Sequence, residues 1–418
     1  MRHGRWTYGA AAAVMAIVLA GCRHPAATSS GPLKQRGYLW QREWTPAVVQ
    51  GIREARRRMN GVVVLGAEMQ FAGAETRMHE ATIQWPELRG GEVALALRIA
   101  PYSGPLADDA HAAAIVAEVR QLLDAARANG VALDEVQLDF DCASRKLAGY
   151  AAWVRAVRKA VAPLPLVITA LPAWLSQPDF PALAREADGY VLQVHSVPTA
   201  AEGGRAALCD PALARRWVRQ ASALGLPFSV SLPAYWCLAG YDPQGKLLSV
   251  AMDSVEPAWP PGTSVLEFSA DADEIAGLVA EWNRQRPPGM RGLLWYRVPI
   301  ATDHRNWRWP TLATVMAGRN PVHHVVAVWD GENPVDVSIV NRGEAEERGS
   351  CTVVLDGSGA AITASEALPG WSLALTPGRA IFSGSGLSLS PGGKQAIGWI
   401  RYEKVVVPQC HAEERFSR

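Results

Sequence analysis

A (β/α)8, TIM-like barrel followed by a C-terminal all-β, immunoglobulin-like sandwich is the architecture this sequence predicts. Two patterns predict it. Between residues 37 and 319, eight strand-like runs alternate with helix-like runs, the order expected of parallel strands joined by crossover helices. From 320 to 418 the chain breaks into short runs separated by Gly, Asn, Asp and Pro, as antiparallel sheets with tight turns require.

The N-terminus comes first. "MRHGRWTYG" is basic and "AAAAVMAIVLA" is apolar but short, which describes a signal peptide rather than a membrane span. "LAGC", ending at Cys22, resembles the bacterial lipobox. The resemblance implies removal of residues 1–21 and lipid on Cys22. Arg23 follows the cysteine, so the same resemblance implies an outer-membrane location facing the periplasm. Residues 22–36, with "RHPAATSSGPLKQR", read as a flexible tether.

The barrel strands are "GYLWQREW" (37–44), "GVVVLGAEMQ" (61–70), "VALALRIA" (93–100), "EVQLDFDC" (135–142), "LVITALPAW" (166–174), "GYVLQVHS" (189–196), "PFSVSLPAYW" (227–236) and "GLLWYRVP" (292–299). Their Val, Ile and Leu content suits strands buried on both faces. Helix starts are marked by Thr45-Pro46, Asp210-Pro211 and the D-x-x-E of "DADE" at 271–274. Leu147, Tyr150, Val154, Val157 and Val161 fall on one helical face. Asn129-Gly130 is a stop signal. The stretch 72–91 predicts only a short or irregular helix. Residues 237–270 are too long for a plain loop and predict a β-hairpin excursion at the barrel mouth. An open doubly wound sheet is the alternative, weakened because no glycine-rich phosphate loop follows the first strand.

Composition excludes some functions. With 41 basic and 40 acidic residues and net charge +1, the chain has no footprint for nucleic acid. No cofactor fingerprint, P-loop or transition-metal spacing occurs, so no cofactor and no metal are assigned. An Asp-x-Asp holding a divalent cation is kept as a third reading. Five cysteines follow Cys22. In an oxidising compartment the expected pairs are Cys209–Cys237 and Cys351–Cys410, leaving Cys142 as a small buried residue.

Chemistry on such a barrel sits at the C-terminal ends of the strands. Reading those ends collects Gln41, Glu43, Glu68, Arg98, Asp139, Asp141, Gln193, His195 and Tyr235, with Trp236 beside it, and Trp295, Tyr296 and Arg297 on the eighth strand. Asp139 and Asp141 are two apart on one strand, hence on one face, roughly 6.5–7 Å apart along the chain. Two carboxylates about a scissile bond are what glycoside hydrolysis needs, and mutual repulsion or burial would leave one of them a proton. Asp141, Asp139, Glu43 and Glu68 are the catalytic candidates. His195, Arg98, Tyr235 and Gln193 are expected to orient substrate. Trp40, Trp174, Trp236 and Trp295 are the aromatic candidates for stacking on sugar faces, with barrel packing the competing role for Trp40 and Trp295.

"LDFD" on the fourth strand is similar to the D-x-x-D-x-D-x-E signature of chitinase-like family 18 glycoside hydrolases. Asp139 and Asp141 match its last two Asp positions. Val136 and Ala143 stand where the signature has its first Asp and its proton-donating Glu. The resemblance therefore implies a donor from another strand, Glu43 or Glu68. Over most of the chain, "YLWQREWTP", "VQLDFD", "LVITALPAWL", "PFSVSLPAY", "NRGEAE" and "AIGWIRYE" look like an uncharacterised bacterial lipoprotein family, domain of unknown function 3142. That resemblance implies a barrel plus a β-domain and no particular activity.

The reading is a lipid-anchored envelope protein, held to the membrane through Cys22, that hydrolyses glycosidic bonds of a poly- or oligosaccharide. The rival is a non-catalytic glycan-binding or envelope-assembly lipoprotein.

Overall fold

The computed structural model describes residues 30–72, 75–106, 109–197, 207–252 and 257–416. The lipobox and Cys22 lie outside the described residues. Among the described residues no helix is long and apolar enough to cross a membrane.

Eight parallel strands form the barrel: β1 (Lys34–Leu39), β2 (Gly61–Ala72), β3 (Glu92–Ile99), β4 (Glu135–Phe140), β5 (Leu166–Ala170), β6 (Gly189–Gln193), β7 (Phe228–Pro233) and β8 (Met290–Tyr296). Each pairs with the next, β8 pairs with β1, and β1 pairs with β2, so the sheet closes on itself. The open doubly wound alternative is thereby corrected. β1 begins at Lys34, inside the stretch read as tether, and Leu33 before it is already buried.

Among the described residues, seven helices cover the outside: α1 (Pro46–Arg58), α2 (Asp109–Ala128), α3 (Leu147–Val161), α4 (Phe180–Glu186), α5 (Pro211–Ala223), α6 (Ala272–Arg284) and α7 (Trp309–Met316). The capping signals act as their chemistry requires at two of them. Asp210 accepts from the backbone of Ala212 and Leu213, and Asp271 from that of Glu274. The helical face of α3 buries Leu147, Tyr150, Val154, Val157 and Val161, as their spacing demands.

The stretch 72–91 departs from expectation. Instead of a helix, strand Glu75–Glu80 folds back antiparallel on β2, and a 3-10 turn follows at Trp85–Leu88. The excursion after β7 is a three-stranded antiparallel sheet, Leu247–Ala251 and Ser264–Ser269 flanking Trp236–Tyr241.

Strand alternation sorts side chains into two layers. Val62, Val64, Leu95, Leu97, Leu138, Ile168, Leu192, Val230, Leu232 and Leu293 face the helices and build the main core. Tyr38, Val63, Ala94, Ala96, Val191 and Leu294 fill the barrel interior. The register of β2 shifts between Leu65 and Ala67, a β-bulge at Gly66. Beyond it, Ala67, Met69 and Phe71 face the core, so Glu68 falls on the opposite face, level with Arg98 and Asp139. A side chain on Gly66 would stand 2.8 Å from Leu122 Cδ1 of α2, which accounts for glycine there.

After α7, two four-stranded antiparallel sheets enclose a second apolar core. One has the order Val325–Asp330, Val335–Asn341, Lys394–Tyr402, Ile362–Ala367. The other has the order Trp371–Thr376, Arg379–Leu389, Glu347–Asp356, Gln409–Phe416. They dock on the barrel through polar contacts. Thr311 donates to the Glu344 carbonyl, the Arg308 N–H to Glu346, and Arg348 pairs with Glu267.

The two expected disulfides do not form among the described residues. The ladder sets Cys410 opposite Leu355 and Cys351 opposite Glu414. Four strand residues separate the two positions by about 14 Å, far beyond disulfide reach. Cys209 packs in the main core, whereas Cys237 sits in a separate small cluster under the excursion. An oxidising compartment favours pairing but does not fix where a side chain points.

Candidate active site

The C-terminal ends of the strands open into a cleft with two connected parts. The inner part has a volume of about 270 Å³ and is bounded by Tyr38, Trp40, Arg98, Asp139, Asp141 and Tyr296, among others. The outer part, about 600 Å³, shares Trp40, Arg98, Met252 and Tyr296 with it and adds Arg42, Glu43 and Glu68.

Asp139 lies at the end of β4 and is 4% exposed. A buried carboxylate needs partners, and it has two. Arg98 Nη1 is 2.7 Å from Oδ2, and the Thr169 hydroxyl donates to Oδ1 at 2.8 Å. These groups come from β3 and β5, on either side of β4, so the register of three strands fixes this carboxylate.

Asp141 stands just past the strand end and is exposed toward the cleft. Among the described residues it makes no hydrogen bond or ion pair. Protein crowds it on the remaining sides, and this loss of hydration, reinforced by the Asp139 charge and opposed by Arg98, pushes its pKa up to about 6. It therefore carries a proton in mildly acidic solution.

Glu68 is placed at the cleft by the β2 bulge, but it is held between two guanidiniums, Arg42 and Arg98. Glu43 is exposed on the outer lip, beside Thr82, with which it forms an isolated bridge.

His195 and Gln193, past and at the end of β6, reach the inner cleft. The imidazole Nε2 lies 3.3 Å from the Ser231 hydroxyl. Burial lowers its pKa to about 4, so the ring is neutral at pH 7. Tyr296 is the hub of an aromatic wall. Its ring centroid is 5.8 Å from that of His195, 5.5 Å from Tyr235, 5.9 Å from Trp40 and 6.1 Å from Tyr38. Beneath them the Tyr38 hydroxyl donates to Gln137 Oε1 at 2.8 Å, and burial raises its pKa further.

Three tryptophans expected at the cleft are elsewhere. Trp174 is 1% exposed, packed between Tyr150 and Phe180 in the helix layer. Trp295 is fully buried on the outer face of β8, and its indole N–H donates to Gln35. Both Leu294 and Trp295 are apolar, so alternation along β8 gave no phase. The inward residues are Leu294 and Tyr296. Trp236 lines a different cavity, at the seam with the C-terminal sheets, where Arg348 lies 3.8 Å and Arg305 4.9 Å from its ring centroid. Thr169, Ser231 and Met252 are cleft residues that sequence reasoning missed. The small polar residues on otherwise apolar β5 and β7 were the available signal. Among the described residues no group of three or more His, Cys, Asp or Glu gathers as a metal-binding cluster.

Residues 92–301, half of the chain, match the family model described as domain of unknown function (DUF3142). The chain belongs to this family. The matched span of this DUF3142 chain runs from β3 through β8 and so includes Arg98, Asp139, Asp141, His195 and Tyr296. No curated protein matches it. Among solved structures, the chain is similar to the Bacillus cereus spore cortex-lytic enzyme SleL, with 13% identity, 69% of this chain and 75% of that one covered, and a TM-score of 0.49. It is similar to the chitinase ChiA74 from Bacillus thuringiensis at 10% identity, covering 91% and 100%, TM-score 0.43. For PbGH5A, a family 5 glycoside hydrolase from Prevotella bryantii B14, the values are 10%, 64%, 85% and 0.37.

Proposed function

We propose that the cleft binds a poly- or oligosaccharide and hydrolyses a glycosidic bond, with Asp141 as the acid. The observation that carries this reading is the pairing of unlike carboxylates at one cleft. Asp139 is clamped by Arg98 and Thr169, while Asp141, two residues on, is open to the cleft and makes no hydrogen bond or ion pair among the described residues. Asp141 gives its proton to the glycosidic oxygen as the bond to the anomeric carbon breaks. The negative charge of Asp139 steadies the positive charge that develops on the sugar ring. A water adds to the anomeric carbon, and its proton passes to Glu43. Glu43 is preferred to Glu68 because two arginines already occupy the latter. Trp40, Tyr296 and neutral His195 offer apolar and hydrogen-bonding surface for the sugar.

A panel of polysaccharides, scored by release of reducing ends for wild type and Asp141→Asn, tests the assignment. Turnover lost in the variant supports it. Equal turnover in both rejects it.

A second reading, glycan binding without hydrolysis, is favoured by the two arginines that hold Glu68. Binding of a glycan with no reducing ends released by wild type would select it. In either case the proposed setting is the cell envelope, with the chain held by lipid on Cys22. Metabolic labelling with a fatty acid, lost on Cys22→Ser, tests that placement.

A further inference from the structure

We infer that the sugar seated against Asp141 carries a free, protonated amine, so that the cleft selects de-N-acetylated amino sugars over neutral or N-acetylated ones. This inference rests on the glycan-binding part of the reading above, with Asp141 ionised at pH 7 and holding the amine rather than donating a proton, and adds the chemical class.

Two features of the inner cleft argue for a cation. The first is its ring content. Trp40, Tyr296 and His195 are half-exposed around the cavity, and Tyr38 and Tyr235 back them, with Tyr296 touching all four other rings. Aromatic faces carry negative potential and hold ammonium groups within about 6 Å. The neutral state of His195 adds no opposing charge.

The second is the charge balance. Among the described residues, Asp139 and Asp141 face one guanidinium at the inner cleft, that of Arg98. Arg98 is committed to Asp139 on one side and Glu68 on the other. The carboxylate left over is Asp141, which lies against the crowded side of the cleft, where desolvation magnifies an ionic contact. An ammonium there restores the balance and satisfies the oxygens of Asp141 by charge-assisted hydrogen bonds. A hydroxyl or an acetamide at the same place supplies no charge. The inner volume of about 270 Å³ limits this recognition to the sugar at the floor, so neighbouring residues of the glycan are free to differ.

The experiment is calorimetric titration of the full chain at pH 7 with three β-1,4-linked tetramers, of glucosamine, N-acetylglucosamine and glucose. The glucosamine tetramer is expected to bind at least about tenfold tighter than either of the others, a preference reduced by salt as an ionic contact requires. Asp141→Asn should bring the three affinities to within about twofold of one another. Because Asp141 is at the surface, the variant is expected to fold, and circular dichroism checks this. Trp40→Leu, a second variant, should weaken the glucosamine tetramer more than the glucose tetramer. Equal or tighter binding of the N-acetylated or neutral tetramer by wild type overturns the amine inference and leaves the glycan reading standing. Failure of all three to bind overturns both.

Discussion

Arg98 and Asp139 face each other across neighbouring strands β3 and β4, in register, with Nη1 2.7 Å from Oδ2. Glu68 occupies the next position of the same level on β2. An acid, a base and an acid thus stand side by side around the barrel rim. The central guanidinium holds Asp139 in place and leaves Asp141 as the carboxyl with freedom to act.

Replacing Arg98 by Met removes the partner of a nearly buried carboxylate. Loss of one member of such a pair typically costs about 3 kcal/mol or more. Urea denaturation of Arg98→Met should show a loss of that order, although Thr169 still donates to Asp139. A loss under ~0.5 kcal/mol would mean that the pair contributes little.

Asp141→Asn should reduce any hydrolysis by at least about 100-fold, the usual worth of a positioned general acid. Far-ultraviolet circular dichroism should be unchanged, since among the described residues the side chain makes no hydrogen bond or ion pair.

The pH dependence has a definite sign. The folded-state pKa of Asp141, raised to about 6, lies above the value near 3.9 of an unfolded chain. Between those values the folded form holds a proton that the unfolded form has lost. This group therefore makes stability fall as pH rises from about 4 to about 6 and has no further effect above that. Asp141→Asn should lack this component, which paired denaturation curves at pH 4 and pH 7 would reveal. Acid-assisted turnover should likewise decline as pH rises through about 6.

His323 joins the two halves of the molecule. Its Nδ1 lies 3.0 Å from Glu347, and its Nε2 lies 3.2 Å from Asp273 of α6. Burial disfavours the charged ring, but the hydrogen bonds and charges of Glu347 and Asp273 outweigh it and raise the pKa. A raised histidine pKa contributes stability that is full below about 6.5 and is lost as pH rises through the folded-state value. The melting temperature of His323→Gln should fall further below wild type at pH 5.5 than at pH 8.5. Equal gaps at both would count against this role.

Much of the barrel was legible because its strands differ chemically from their surroundings. On β4, polar Gln137 and Asp139 alternate with apolar Val136 and Leu138, so phase and site followed from the sequence. On β8 both faces are apolar, and the sequence did not distinguish Trp295 from Tyr296 as the inward ring. The bulge at Gly66 is invisible to a period-two count, yet it decides where Glu68 points. Strand Glu75–Glu80 escaped because it is an edge strand exposed to solvent, without the apolar face that marks a buried one. The expected cysteine pairs do not form because a compartment argument carries no information on side-chain direction.

Tyr235 borders both the inner cleft and the cavity beside Trp236. On its far side that second cavity is closed by Ala345, Glu346 and Arg348 of the C-terminal sheets. Tyr235 is thus common to the walls of chamber and seam. Cutting the chain after α7 would remove the far wall of that second cavity and leave Tyr235 facing solvent on that side. Measurements on a truncated barrel would describe a different container from the intact molecule.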